Sequence, residues 1–146
     1  MIEINKKYSP ITSSDSRYFI VTGGRGSGKS FSVNLLLVLL TYEAGHTILF
    51  TRLKSLTNVS TWVMDEAEEL VDESIFDKID LSVRNLKQQN RVILILNPVT
   101  KEHWIYSRFF EDKAIMGGTN TTKDNITYIH TTYLDNLNNL SESYLN

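Results

Sequence analysis

Apolar and polar positions fall in alternating blocks along this chain, and block length separates strands from helices. Tyr18, Phe19, Ile20 and Val21 form a short apolar run of the kind that makes a buried strand. Residues 31–44 carry apolar side chains at Val33 and throughout 35–40, which predicts a helix apolar on nearly every side, buried against a sheet and stopped by Gly45. Two further strands are predicted at 47–51 and 61–64. An acidic helical stretch at 65–79 follows, with Leu70, Val71, Ile75 and Phe76 interleaved, and 81–89 continues the helical pattern. Arg91–Leu96 is the most convincing buried strand in the chain. Residues 101–111, with Trp104, Ile105, Phe109 and Phe110, read as an amphipathic helix whose aromatics serve the core rather than a stacking platform for bases. A polar loop at 116–125 leads to a strand at 126–131, rich in β-branched and aromatic residues, and a short helix at 137–145 closes the sequence. Residues 1–16 are polar and read as a lead-in arm.

Strands alternating with helices predict one α/β domain over residues 1–146: three layers, a mainly parallel sheet, and helices on both faces. In such sheets ligands sit beyond the carboxyl ends of the strands. The first strand runs into Thr22 and then Gly23, Gly24, Arg25, Gly26, Ser27, Gly28, Lys29 and Ser30, which satisfy the spacing G-x-x-x-x-G-K-[ST]. Strand, loop and helix come in the order this motif needs, so the stretch reads as a nucleotide-phosphate cradle. Its glycines let the backbone aim several N–H groups at one point. Lys29 supplies a mobile charge for the β- and γ-phosphates, Ser30 a hydroxyl for Mg²⁺, and the helix start a positive dipole end.

Two acids close the 61–64 strand, Asp65 and Glu66. An acid pair at a helix start is by itself weak, since it commonly just favours the helix dipole. Beside the glycine motif it gains a chemical reading, in which Asp65 holds Mg²⁺ and Glu66 orients and deprotonates the water that attacks the γ-phosphate. The remaining acids of the stretch read as a solvated helix face in preference to a two-metal nuclease centre. Asn97 falls on the same edge, where it can sense the γ-phosphate or simply cap the turn before Pro98. Arg17 and Tyr18, upstream of the glycine loop, could touch a base, although packing is the simpler role. His130 reads as structural.

Composition narrows the picture only a little. Net charge is −2, so the chain as a whole is no electrostatic nucleic-acid binder, although a local basic strip could contact DNA phosphates. The absence of cysteine excludes disulfides and thiolate metal sites and fits a reducing compartment. The longest apolar run, 35–40, is far short of the ~20 residues that span a bilayer, and the first residues lack the apolar core of a signal peptide, so no membrane role is expected.

With these motifs placed, the stretches TGGRGSGKS, TWVMDEAEEL, VILILNPVTKEHWIYSRFF and IHTTYLDN resemble the ATPase domain of the phage terminase large subunit, over nearly the whole chain. The resemblance implies a P-loop NTPase fold and ATP with Mg²⁺ as ligands. It implies an ATP-driven motor moving double-stranded viral DNA into a procapsid, in the host cytoplasm at the portal. The portal protein, the small terminase subunit and further copies of the chain would be its partners. It also implies a catalytic role for Arg25, the Mg²⁺ ligand at Asp65, the catalytic glutamate at Glu66 and a coupling motif at 96–98. Family members continue into a nuclease domain for which this chain has no room, so DNA cutting is not expected. Other P-loop ATPases or kinases, or a nucleotide-binding remnant or assembly piece without turnover, are the alternatives.

The link 52–60 is short for a parallel crossover, which with its helix needs at least ~10–12 residues. The flanking strands should then form a tight antiparallel turn, or not be neighbours and be bridged at one end, or have lost a segment between them, as the long segment that the family resemblance implies at this place suggests. The last is favoured.

Overall fold

The computed structural model describes residues 3–42, 46–50, 59–141 and 143. Six strands form one sheet: β1 (Tyr18–Thr22), β2 (Ile48–Phe50), β3 (Thr61–Met64), β4 (Arg91–Leu96), β5 (Thr121–Lys123) and β6 (Ile126–His130). Their spatial order is β2-β3-β4-β1-β6-β5, parallel throughout except for the β5–β6 hairpin at the edge.

β1 lies at the centre, with Phe19 opposite Ile93 of β4 and Thr127 of β6. Because successive side chains point to opposite faces, the apolar runs of β1 and β4 split into two cores. Phe19, Val21, Ile93 and Ile95 pack with Ile11 of α1 (Pro10–Ser13) and with Val33 and Leu37 of α2 (Lys29–Leu40). Ile20, Leu94 and Leu96 pack with Phe76 of α3 (Glu73–Asp80) and with Phe109 and Phe110. This is the three-layer α/β arrangement, with helices on both faces.

Several boundaries differ from the sequence expectations, each for a local reason. The lead-in arm is part of the core: a 3-10 turn at Lys6–Tyr8 and α1 bury Tyr8 and Ile11 completely. α2 is not buried all round, since Phe31, Val38 and Leu39 are each about half exposed while Val33 and Leu37 face the sheet. Its proposed stop at Gly45 lies outside the described residues. The acidic stretch breaks into a 3-10 turn (Ala67–Glu69) and α3, because Asp72 caps α3 by accepting from Ser74 N–H. Residues 81–89 are not helical: Asn85 Oδ1 takes the Lys87 and Gln88 N–H groups and Asn90 Oδ1 takes that of Asn85, an alternative to helical bonding. The 101–111 segment becomes π-helical at Tyr106–Glu111, and Asp112 N–H reaches back five residues to Ser107 O. Within the 116–125 loop lies β5, turned onto β6 through Asp124 at φ +54°. The last predicted helix is instead a kinked 3-10 turn at Tyr133–Asn139, and 142 and 144–146 lie outside the described residues.

β2 and β3 are parallel neighbours, Ile48 opposite Thr61. That removes the antiparallel and non-neighbour readings of the 52–60 link. Residues 51–58 lie outside the described residues, but eight residues can reach about 28 Å. Returning along a three-residue strand takes only ~10 Å, so no helix is needed.

Phe76 is the hub of the face carrying α3. It is fully buried, 5.2 Å from the Trp62 ring, 4.9 Å from Trp104 and 4.8 Å from the Arg108 guanidinium. Phe76→Ala is expected to cost about 3–5 kcal/mol of stability, read by urea unfolding. A loss under about 1 kcal/mol would mean that this face closes over the gap.

Candidate functional site

The carboxyl ends of β1, β3 and β4 open onto one cleft of about 220 Å³, lined by Arg25, Lys29, Ser30, Asp65, Glu66, Glu68 and Asn97. Parallel pairing puts these three ends at one edge, which is why residues distant in sequence meet there. The cleft is smaller than the ~300–1,000 Å³ that engulfs a drug-sized ligand, a size suited to a phosphate chain rather than a whole nucleotide.

Between β1 and α2 the chain turns back sharply at 23–28. Gly23 sits at φ +155°, where an added Cβ would come within 2.3 Å of Thr131 O. Gly28 sits at φ +75°, where a Cβ would meet the Asn136 amide at 3.0 Å. At Gly23 the obstacle is backbone, so a side chain does not fit; at Gly28 the positive φ would strain a side chain, which would also press on the Asn136 side chain. Gly24 and Arg25 are exposed at the rim, Gly26 is half-buried, and Ser27 is buried with its hydroxyl lacking a hydrogen-bond partner among the described residues.

Lys29 opens α2 and points across the cleft. Its Nζ donates to Asn97 Oδ1 at 3.0 Å and, more weakly, to Gly24 O at 3.4 Å. Partial burial lowers its pKa, and the charges of Asp65 and Glu68 oppose that shift. Asn97 is held at both ends of its amide: Oδ1 accepts from Lys29 and Nδ2 donates to Glu68 Oε1 at 2.9 Å. Its side chain thus lines the cleft beside Lys29.

Asp65 and Glu66 are both exposed after β3. Asp65 Oδ1 accepts the Glu66 N–H at 2.8 Å. Glu66 adopts a left-handed backbone, φ +51°, a strained conformation of the kind that gathers at functional sites. Its carboxylate has no partner among the described residues and is open to a solvent molecule.

Glu68 is the residue that sequence reasoning passed over, counted there among the solvated acids. It is half-buried, bonds Asn97, and keeps Oε2 buried without a partner among the described residues. The 3-10 turn that carries it is pinned by His103 Nε2 to Glu68 O at 2.9 Å. His130, read as structural, bonds Thr22 Oγ1 through Nδ1 at 2.8 Å and lines a mostly apolar cavity of about 360 Å³ that shares Leu96 and Asn97 with the cleft. Arg17 and Tyr18 lie at the opposite end of β1, both bonded to Asp80, and take the packing role.

The donor set fits a nucleotide tail with Mg²⁺. One loop with glycine at two positive-φ positions, one lysine, one serine hydroxyl and one strand-end carboxylate make a shape and charge pattern for polyphosphate. Among the described residues no group of three His, Asp or Glu forms a metal cage. Mg²⁺ characteristically takes only one or two protein oxygens and completes its shell with phosphate and water, so Ser30 and Asp65 suffice.

The family model described as phage terminase large subunit matches residues 42–146, so the glycine loop lies outside the matched span and stands on its own geometry. No curated protein sequence matches the chain. Among solved structures, the large terminase of a thermophilic bacteriophage, in complex with ATP-γ-S, is 14% identical with a TM-score of 0.72. The match covers 97% of this chain and 48% of that one, so the chain spans about half the length of that terminase. The N-terminal domain of the DNA packaging ATPase from bacteriophage phi29 is 14% identical with a TM-score of 0.68, covering 90% of this chain and 97% of that domain. At this identity the two structures establish a shared fold.

Proposed function

Since the chain belongs to the phage terminase large subunit family, we propose that it binds and hydrolyses ATP to drive double-stranded viral DNA into a procapsid. The observation that carries the reading is the convergence of Lys29, Ser30, Asp65, Glu66 and Asn97 on one cleft beside a loop that admits no side chain at Gly23 and strains one at Gly28. The likeness to a terminase in complex with ATP-γ-S supports it.

In this reading the N–H groups of 24–28, with Lys29, hold the β- and γ-phosphates. Arg25, at the rim, stabilises the charge that grows on the γ-phosphate as its bond to the leaving oxygen lengthens. Ser30 Oγ and Asp65 would hold Mg²⁺, which when bound would offset the phosphate charge. Glu66 takes the proton of the attacking water; its open carboxylate and strained backbone suit that task. Asn97 exchanges Lys29 for phosphate contacts and so reports occupancy to the end of β4. The working motor would be a ring of this chain on the portal, with the small terminase subunit and DNA as partners, in the host cytoplasm. Among the described residues no helix is long and apolar enough to cross a membrane.

Phosphate release measured with and without duplex DNA tests the proposal. Turnover that duplex stimulates about tenfold or more is expected, in the range by which positioned groups change rates. Nucleotide binding without turnover in either condition would favour the remnant or assembly reading, for which the shortened crossover speaks.

A further inference from the structure

A loop whose N–H groups face a phosphate turns its carbonyls back toward the protein, where each needs a donor. Gly28 O receives the Ser32 N–H at 2.9 Å, as part of α2. The two carbonyls before it are held from outside the motif. Ser27 O accepts the Tyr8 hydroxyl at 3.1 Å, and Gly26 O accepts the Asn136 side-chain amide at 2.9 Å.

Both donors are themselves oriented. The Tyr8 hydroxyl has one proton; with that proton on Ser27 O, its 2.7 Å contact with Thr131 Oγ1 is one in which Thr131 donates. Tyr8 and Thr131 are both buried, and burial raises the Tyr8 pKa, so the phenol keeps its proton at neutral pH. Asn136 Oδ1 accepts from Asn139 Nδ2 at 2.9 Å, which turns the donor end of the Asn136 amide toward the loop. The Asn136 backbone departs from helical geometry at φ −130°, the kink in the 133–139 turn.

Resting on the reading of the loop as a phosphate cradle, we infer that Tyr8 and Asn136 are positioning residues that hold its carbonyls from behind and so aim its N–H groups at the phosphates. The two come from opposite ends of the chain, and those ends are tied. Lys7 Nζ pairs with the Asp135 carboxylate at 3.1 Å, and Asn5 Nδ2 donates to Asp135 O at 3.2 Å. The 6–8 turn and the 133–139 turn thus form one strap behind the loop. Loosening the strap weakens phosphate binding, and by linkage bound nucleotide tightens the strap.

The test is Tyr8→Phe and Asn136→Ala, singly and together, titrated with Mg–ATP-γ-S by calorimetry. Thermal unfolding and amide hydrogen exchange are measured on the ligand-free proteins. Each single substitution is expected to weaken binding roughly three- to tenfold, the worth of one hydrogen bond. Exchange should quicken at 26–28 while β1 and β4 stay as protected as in the wild type, and Tm should move by only a few degrees. Because both act on one loop, the double variant should lose less than the product of the two single losses. Unchanged affinity in both singles, or affinity that falls only in step with Tm, overturns the inference. If Tyr8→Phe does not fold, Asn136→Ala decides alone, since its side chain is only half-buried. A wild-type protein that fails to bind ATP-γ-S sinks the phosphate-cradle reading and this inference with it, whereas a wild type that binds and variants that bind equally sink the inference alone.

Discussion

Lys29→Ala is expected to weaken Mg–ATP-γ-S binding by about two to three orders of magnitude while leaving the fold intact. Two effects add. The ammonium is the cleft's principal cationic hydrogen-bond donor to phosphate, and a charged hydrogen bond is worth about 1.5–3 kcal/mol, more than one being lost here. Its removal also leaves the Asp65 and Glu68 charges, which now act on Lys29, facing an incoming anion without their counterion. Stability should change little, because among the described residues the Lys29 side chain is bonded only to Asn97 and the Gly24 carbonyl, at the edge of the cleft and outside either core. Calorimetry with thermal unfolding on the same sample is the measurement. Affinity within about threefold of wild type would end the cradle assignment.

Glu66→Gln should leave nucleotide and Mg²⁺ bound and slow hydrolysis by about 10²–10⁴-fold, the range for a positioned general base. The amide keeps the volume and the strained backbone position but cannot accept a proton. Asp65→Asn, by contrast, should weaken the Mg²⁺ dependence of binding. Single-turnover hydrolysis separates the steps, because it reads chemistry without product release. Glu68→Gln is the decisive companion, since Glu68 also has a free buried carboxylate oxygen in this cleft. Turnover lost in Glu68→Gln and kept in Glu66→Gln would transfer the base role to Glu68. A reversal between Asp65 and Glu66, with Glu66→Gln destroying Mg²⁺ affinity, would exchange their roles.

The local parts of the design are written in short stretches of sequence. The central strands announce themselves because β1 and β4 are buried on both faces and so must be apolar at consecutive positions. The glycine loop is equally legible as a motif, since Gly23 and Gly28 take positive φ values that favour glycine. Asp65 and Asn97 followed from strand ends and the rule that a parallel sheet gathers its ligands at one edge.

What stayed hidden depends on partners remote in sequence. Tyr8 looked like part of a polar arm, and its burial is decided by Ser27 and Thr131, the latter 123 residues away. Glu68 looked like one acid among several; only the approach of Asn97 and His103 takes it out of the solvated set. The break in the 65–79 stretch and the uncoiling of 81–89 are local by contrast: side chains two to five residues away outcompete the helix for N–H groups, Asp72 in the first case and Asn85 and Asn90 in the second, a competition that the apolar pattern does not register. Strand order was likewise beyond pattern: β2 beside β3 in parallel is set by how two cores close over the sheet, and a short link permits that arrangement without specifying it. The sequence by itself therefore determined the fold class, the buried strands and the glycine spacing of the loop, because each is carried by a pattern within a short stretch. The assembly of the cleft, the strap behind the loop and the choice of Glu68 were decided only by tertiary structure, because each needs a hydrogen-bond partner that packing alone brings within about 3 Å.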